Sequence, residues 1–333
     1  MGELGCWVLT NGRAGMINQC TALADALGLE AESKSLTTLP PWRWLPPQLW
    51  LAPLRAVEAD GDRLRPPWPD LLIASGRHSV APALAVKRRS GGRTFCVQVQ
   101  NPTVGFRNFD LIVAPEHDNL SGPNVVSTRG ALHRVTADLM ERLAPLAEAR
   151  LGHLPRPRLA VLLGGNNAVY RFREAIATKL ASELARLVRE EGVGVAVTPS
   201  PRTPAAALAA IRRELDPLDG AVIWDGGGEN PYLVYLAAAD HLLVTSDSVN
   251  MVSEAAGTGR PVYVLELEGG SYKFARFHRA MREAGITREF TGRLETWPYT
   301  PPDDMARVVD AVRRRLGREA PGARPVAKGP PRA

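Results

Sequence analysis

Short apolar runs alternate with helical segments along most of the 333-residue chain, and this alternation restricts the fold more than any other feature. Strands are predicted at residues 6–10, 70–74, 94–99, 110–114 and 124–127, and helices up to residue 27 and at 80–89 and 137–149. Apolar runs that lack period-two alternation are typical of strands buried on both faces, and such strands separated by helices form parallel sheets. The first half therefore predicts an α/β domain.

The alternation breaks at residues 151–158, which contain a glycine and two prolines, and then restarts. Strands are predicted at 159–163, 193–197, 221–224, 241–245 and 261–265, and helices at 171–190, 204–215, 232–239, 250–256, 273–283 and 303–316. A chain of this length also exceeds what one core usually serves. We therefore predict two Rossmann-like, doubly wound domains with a cleft between them, at residues 1–150 and 159–316. The segment 151–158 would be the linker and 317–333 a disordered tail.

Composition restricts the binding partners and the cellular compartment that we expect. The three cysteines are widely spaced among apolar residues and fit neither a disulfide framework nor a metal site. The first ten residues lack the order of a secretory signal, and no apolar run reaches the roughly 18 residues of a membrane span. These patterns predict a cytoplasmic protein, and the inner face of the plasma membrane is compatible with them. The net charge of +6 comes without a nucleic-acid-binding signature, so it favours anionic lipid or a phosphorylated substrate over nucleic acid.

The strongest candidate site follows the predicted strand 241–245. Thr245–Ser248 supplies three hydroxyl residues and an aspartate directly before a helix, where backbone N–H groups can bind a pyrophosphate. Glu254 lies about two turns further along and could accept hydrogen bonds from a ribose diol. The simpler interpretation is an N-capping cluster without a ligand. Capping accounts for one such residue but not for four followed by a glutamate, so we favour a nucleotide site.

Two glycine-rich turns follow other strands of the second half. The first follows strand 159–163 and the second follows strand 221–224, and glycine in either would let a phosphate or sugar approach the backbone. A plain tight turn and a helix cap are the alternatives. No G-x-G-x-x-G fingerprint is present, which argues against a dinucleotide dehydrogenase. The predicted nucleotide-sugar residues are Gly164, Gly165, Asn166, Gly227, Asn230, Thr245, Ser246, Asp247, Ser248 and Glu254.

Polar segments also follow three strands of the first half, at residues 11–19, 75–79 and 115–118. The carboxyl ends of parallel strands meet at one edge of a sheet, so these segments are expected to converge. We predict His78 or Asp118 as a general base that deprotonates an acceptor hydroxyl, since a neutral imidazole suits this task. Arg13 would bind an anionic acceptor or the departing diphosphate. An isolated histidine is, however, more often an ordinary hydrogen-bonded surface residue.

Motifs along the chain, in the same order up to about residue 316, resemble the elongated-mitochondria fission protein family in its bacterial branch. They lie at residues 11–19, 75–79, 98–102, 113–118, 163–166, 245–255 and 270–278. The resemblance implies a GT-B fold and a metal-independent glycosyltransferase that needs no cofactor beyond its nucleotide-sugar substrate. The acceptor would be a glycolipid or lipooligosaccharide of the cell envelope. Donor binding is implied at Ser246, Ser248 and Glu254.

Two other functions share these features. A nucleotide-sugar epimerase of the same fold would need the donor site but no acceptor. A non-catalytic recruiting protein would retain only the fold, as plant members that promote mitochondrial division suggest.

The stretch 39–54 places three tryptophans within nine residues, among five prolines. Proline excludes a regular helix there, and tryptophan with arginine is typical of a lipid-headgroup boundary. A hydrophobic lid or an oligomer contact would have the same composition.

Overall fold

A computed structural model describes residues 4–104 and 106–317. The chain forms two compact units, and neither is continuous in sequence. Among the described residues, the first unit takes those up to 114, those at 121–126 and those from 304 onward, and the second takes 115–120 and 127–303. This division differs from the predicted boundary at 151–158, because helix 137–151 belongs with the second unit and the last helix returns to the first. The predicted tail lies outside the described residues except for Gly317.

The first unit contains a seven-stranded sheet. Its strands are β1 (Cys6–Thr10), β2 (Ala31–Thr38), β3 (Val57–Ala59), β4 (Leu71–Ser75), β5 (Phe95–Val99), β6 (Leu111–Pro115) and β7 (Val125–Thr128). Their spatial order is β3-β2-β1-β4-β5-β6-β7, with β3 antiparallel to β2 and parallel pairing from β2 to β6. Every residue of β1, β4 and β6 is buried, as expected for strands covered on both faces.

The second unit contains a six-stranded sheet and a two-stranded ribbon. The strands are β8 (Arg158–Leu163), β9 (Tyr170–Arg171), β10 (Gly194–Pro199), β11 (Ala221–Ile223), β12 (His241–Thr245), β13 (Val262–Leu265), β14 (Glu268–Gly269) and β15 (Thr287–Glu289). The sheet is parallel throughout, in the order β11-β10-β8-β12-β13-β15, and β9 pairs with β14 in the ribbon. The predicted α/β class with two Rossmann-like units is confirmed.

Helices connect these strands. They are α1 (Ala14–Leu27), α2 (Arg77–Arg89), α3 (Ala137–Leu151), α4 (Glu174–Glu191), α5 (Ala205–Leu215), α6 (Tyr232–Ala238), α7 (Val249–Ala256), α8 (Tyr272–Glu283) and α9 (Asp304–Arg315). Local signals set several ends: Gly28 and Gly192 adopt left-handed backbone after α1 and α4, and the hydroxyl of Thr136 caps α3 by accepting from the Leu139 N–H. None of the described helices is both long and apolar enough to cross a membrane.

The assignment of α9 to the first unit rests on its packing against α1. Val308 and Val312 of α9 are fully buried. A charge at either position would be buried without a partner, which is among the most destabilising single changes.

We expect Val308→Asp to unfold the first unit selectively. Limited proteolysis should then cut within residues 4–114 while 127–303 stays resistant. Ala306→Asp, on the exposed face of the same helix, is the matched control and should leave the digestion pattern unchanged. Equal loss of protection in both units would contradict the assignment of α9.

Candidate functional site

The order of the second sheet reverses between two neighbouring strands, β8 and β12. From β8 the chain continues outward to β10, whereas from β12 it continues to β13 on the other side. In open parallel sheets, ligands bind beyond the carboxyl ends of the strands at such a switch point. Gly164 and Gly165 follow β8, and the segment Ser246–Ser248 follows β12, so two predicted segments meet at this position.

Two buried hydrogen bonds join these two loops, and a third lies within the second loop. The Gly164 N–H donates to Oγ1 of Thr245 at 2.7 Å, and the Gly165 N–H donates to Oδ2 of Asp247 at 3.0 Å. The Thr245 hydroxyl in turn donates to Oδ1 of Asp247 at 2.7 Å. A Cβ on Gly164 would lie 2.1 Å from that Oδ1 atom, so only glycine allows the backbone to approach the carboxylate this closely.

Asp247 also binds a basic residue that the sequence analysis did not identify. The Nη1 atom of Arg202 lies 2.9 Å from Oδ2 of Asp247. The Asp247 side chain is fully buried, whereas 41% of the Arg202 side chain is exposed, so a buried carboxylate orients a guanidinium that still faces solvent. The turn that carries Arg202 follows β10 and is attached to the same loop, because the Thr203 hydroxyl donates to the Gly164 carbonyl at 2.6 Å.

The remaining predicted hydroxyl and amide side chains make bonds within the chain. Ser246 Oγ accepts from the Leu267 N–H at 3.0 Å, and Ser248 Oγ caps α7 by accepting from the Met251 N–H at 3.3 Å. Asn166 Oδ1 accepts from the Phe172 N–H at 2.8 Å. The predicted capping alternative therefore describes Ser248, while the neighbouring side chains connect loops. Ser248 also places the N-terminus of α7, with its partial positive charge, at the switch point.

Glu254 lies on α7, about 9 Å along the helix axis from Ser248. Its Oε2 atom accepts a 2.5 Å hydrogen bond from the hydroxyl of Tyr232. Burial raises the pKa of Glu254 to about 6, while the Tyr232 hydrogen bond and the charge of Arg134 act in the opposite direction. The carboxyl group is thus positioned by a tyrosine.

The other predicted glycine turn, residues 225–230, is an exposed loop after the edge strand β11. The Gly227 N–H donates to Oδ1 of Asp225 at 2.8 Å, and the Gly227 carbonyl accepts from the indole of Trp224 at 2.8 Å. Asn230 Oδ1 accepts from the Tyr232 N–H at 3.0 Å. Asn230 therefore leads into α6 and fixes the start of the helix whose first residue contacts Glu254.

The first sheet has its own switch point, between β1 and β4. Arg13 directly precedes α1 there, and His78 lies in the first turn of α2. Nδ1 of His78 is 3.0 Å from the hydroxyl of Thr38 on β2. Burial lowers the pKa of His78 below its usual 6.5, and the charges of Arg77 and Arg13 lower it further. The imidazole is consequently neutral near pH 7 and able to accept a proton.

Asp118 follows β6 in sequence, but its contacts lie within the second unit. Its segment, 115–120, belongs to the second unit and packs against α8. The Asp118 carboxylate is buried and lies 2.5 Å from Nζ of Lys273. His117 beside it is also buried, and burial lowers its pKa to about 4.

Known proteins resemble this chain in sequence and in fold. The sequence profile of the family described as Mitochondrial fission ELM1 matches residues 14–316. The chain belongs to the mitochondrial fission ELM1 family. Mitochondrial fission protein ELM1 of Arabidopsis thaliana is 31% identical over 274 residues, covering 74% of this chain and 64% of that protein. An uncharacterized protein of Rickettsia prowazekii (strain Madrid E), RP120, is 25% identical over 362 residues, covering 94% of this chain and 99% of that one.

Solved structures resemble this ELM1-family chain in fold. A co-structure of S. aureus MnaA with UDP has a TM-score of 0.53 at 12% identity, covering 94% of this chain and 89% of that one. UDP-GlcNAc 2-epimerase from Neisseria meningitidis, bound to UDP-GlcNAc, has a TM-score of 0.51 at 12% identity, covering 93% and 100%. At such identity the likeness concerns the fold alone. The predicted family membership and the GT-B type of fold are both confirmed.

Two residues of this ELM1-family site were missed by the sequence analysis, Arg202 and Thr38. Arg202 stands in a short turn without glycine between β10 and α5, and its partner Asp247 is 45 positions away. Thr38 ends a strand that the sequence analysis did not predict. No group of three or more histidine, cysteine, aspartate or glutamate side chains that could hold a metal ion occurs among the described residues.

The substitution Glu254→Gln tests whether the pKa of the Glu254 carboxyl is raised in the folded protein. The raised pKa means that the folded state favours the protonated carboxyl, so its stabilising contribution is complete below about pH 4.5 and is lost as the pH rises through about 6. Between these two pH values the carboxyl changes the free energy of unfolding by at most about 2 kcal/mol. We expect the variant to have a higher Tm than the wild type at about pH 8 and a similar Tm at about pH 4.5.

Thermal unfolding at both pH values measures this effect, with Glu283→Gln on the exposed face of α8 as the control. A Glu254→Gln variant that loses as much stability at the higher pH as at the lower one would contradict a raised carboxyl pKa.

Proposed function

We propose that this protein is a glycosyltransferase that moves a sugar from a nucleotide-sugar donor to a glycolipid or lipooligosaccharide of the cell envelope. The donor would bind at the switch point of the second sheet, and the reaction would need no metal. The observation that carries the proposal is the Arg202 guanidinium, oriented by the buried carboxylate of Asp247 beside the two glycines that follow β8. This arrangement suits a nucleoside diphosphate.

The departing diphosphate is where negative charge develops as the sugar leaves. A fixed guanidinium and the N-terminus of α7 stabilise such charge without reorganising, which is the usual source of the largest catalytic effect. Gly164 and Gly165 leave room for the Asp247 carboxylate and the Arg202 carbonyl against the backbone, and so fix the turn that carries the guanidinium. Glu254, held by Tyr232, would accept hydrogen bonds from the ribose hydroxyls, and the loop of Gly227 and Asn230 would lie near the base.

Acceptor activation is assigned to the first unit. In the proposed reaction the acceptor oxygen forms a bond to the anomeric carbon while the bond from that carbon to the diphosphate breaks. His78 takes the proton of the acceptor hydroxyl, and Thr38 fixes the orientation of its ring. Arg13 would bind an anionic group of the acceptor. Asp118 receives no proton-transfer role here, since its carboxylate is paired with Lys273.

An epimerase acting on the nucleotide sugar is the second candidate, favoured by the fold shared with UDP-GlcNAc 2-epimerase. Incubation of the protein with each donor in the absence of acceptor separates the two reactions. A new nucleotide sugar formed without acceptor would support epimerisation and contradict transfer. No thermal stabilisation by UDP-, GDP-, TDP- or CMP-sugars would instead favour a recruiting protein related to the mitochondrial fission factors.

The proposed location is the cytoplasmic face of the plasma membrane, in contact with anionic lipid, because a glycolipid acceptor is presented there. The basic net charge of +6 supports this placement.

Arg202→Ala tests the donor site. Losing a charge-assisted hydrogen bond to phosphate should weaken binding of the nucleoside diphosphate by about tenfold to a hundredfold, as measured by titration calorimetry. Arg213→Ala, which removes an exposed arginine from α5, is the matched control and should bind normally. Arg202→Lys should recover part of the affinity. Unchanged binding in Arg202→Ala, with an unchanged Tm, would refute the assigned role.

His78→Gln tests the acceptor site. We expect kcat to fall by about 10²–10⁴-fold with donor affinity unchanged, because only proton transfer is removed. In the wild type kcat/KM should fall on the acid side below pH 6.5, where the base becomes protonated. Arg77→Gln removes a charge that lowers this pKa, so the acid limb should move to higher pH. A profile that does not respond to Arg77→Gln would exclude His78 as the base.

A further inference from the structure

A groove of about 710 Å³ opens on the first unit, and the ring of Trp50, which helps to line it, lies 6.2 Å from the ring of His78. Its apolar part is formed by Trp50 and Pro53 from the tryptophan-rich stretch and by Leu84 of α2. Its basic part is formed by Lys87, Arg88 and Arg107. A groove lined by both apolar and basic side chains fits a molecule with an apolar tail and an anionic head.

The charged residues that line this groove are all basic. Segments 33–57 and 71–109, which supply all its lining residues, contain nine basic residues and no acidic residue. Lys87 is paired with Asp110 at 2.7 Å. Arg88 and Arg107 are exposed, and neither forms an ion pair within the part of the chain that the structure describes. Their positive charge is therefore available to an anionic ligand.

Large apolar side chains are exposed beside the groove. Trp44 is 63% exposed, Leu49 56% and Leu51 91%, and all three belong to the segment that forms one wall. The guanidinium of Arg43 lies over the Trp44 ring at 4.4 Å. Exposed tryptophan and leucine among arginines are typical of a surface that enters the headgroup region of a bilayer.

The wall itself is held in place. Residues Trp42–Trp44 and Pro47–Leu49 form two 3₁₀ turns, and no regular helix is present in this segment, as its prolines predict. The buried indole of Trp50 donates to the Leu45 carbonyl at 3.2 Å, and Arg77 donates to the same carbonyl at 3.3 Å. The exposed leucines are thus presented from a folded segment that is packed on α2.

We propose that this groove binds an anionic phospholipid of a bilayer, with Arg88 and Arg107 on the phosphate and Leu49 and Leu51 among the first acyl carbons. The inference rests on the proposed function, since it specifies the surface through which an enzyme acting on a glycolipid contacts its membrane. An anionic lipid satisfies both the unopposed charge and the exposed apolar side chains, which a soluble phosphate would leave in water.

Co-sedimentation with vesicles tests the groove. Vesicles of phosphatidylcholine alone are compared with vesicles containing roughly one third phosphatidylglycerol. We expect the full-length wild type to bind only the anionic vesicles. Arg88→Gln/Arg107→Gln should reduce that partitioning by about tenfold or more, because each basic residue near the surface contributes substantially. Arg63→Gln/Arg65→Gln, an equal loss of exposed charge elsewhere on the unit, should partition as the wild type does.

Three outcomes would overturn the proposal: no binding of the wild type to anionic vesicles, equal loss in the two charge variants, or normal binding by Leu49→Ser/Leu51→Ser. Equal loss would assign the attraction to the overall charge of the protein. Thermal shifts with nucleoside diphosphates on the same variants separate this inference from the proposed function. Groove-dependent vesicle binding without any thermal shift by nucleotides would refute only the proposed enzymatic function. A thermal shift by nucleotides without vesicle binding would refute only the proposed lipid site.

Discussion

The second unit depends on one buried carboxylate. Asp247 accepts from the backbone of Gly165 and from the hydroxyl of Thr245, and it forms an ion pair with Arg202. An unpaired charge at this depth would be strongly unfavourable, so the three partners must be present together. They come from the ends of three strands, and the carboxylate therefore sets the relative positions of the loops after β8, β10 and β12. Its burial is also what leaves the guanidinium directed outward.

The fold was accessible from sequence because its signals are local. Continuous apolar runs marked β1, β4 and β12, and the observed bounds differ from the predicted ones by few residues. Strand β2 was missed because its residues, Ala31–Thr38, are mostly polar and only partly buried, so neither an apolar run nor an alternation marks them. The unit to which segment 115–120 belongs could not be predicted from the sequence either. Spacing along the chain places it after β6, whereas tertiary packing against α8 assigns it to the other unit.

The candidate site was predictable in place but not in detail. The rule that ligands bind at strand ends selects Thr245–Ser248 from the sequence, whereas the switch point at which this segment lies follows only from the spatial order of the strands. The same residue types serve as helix caps, as loop connectors and as ligand contacts, so the sequence could not show which residue has which role. The structure gives Ser248 a capping bond and Thr245 a connecting one, and it introduces Arg202 through a contact between distant turns. Interactions between distant turns carry no local signature.

The path of the chain also bears on how the protein is made. Helix α9 belongs to the first unit but is separated from the rest of it by the whole of the second. Domains usually fold in order from the N-terminus as they leave the ribosome. Here the first unit lacks the helix that covers α1 until residues 304–315 have been synthesised, so the second unit can complete its core earlier. Until then the surface of α1 that α9 covers stays exposed, and this surface is the part of the first unit that needs protection from aggregation during translation.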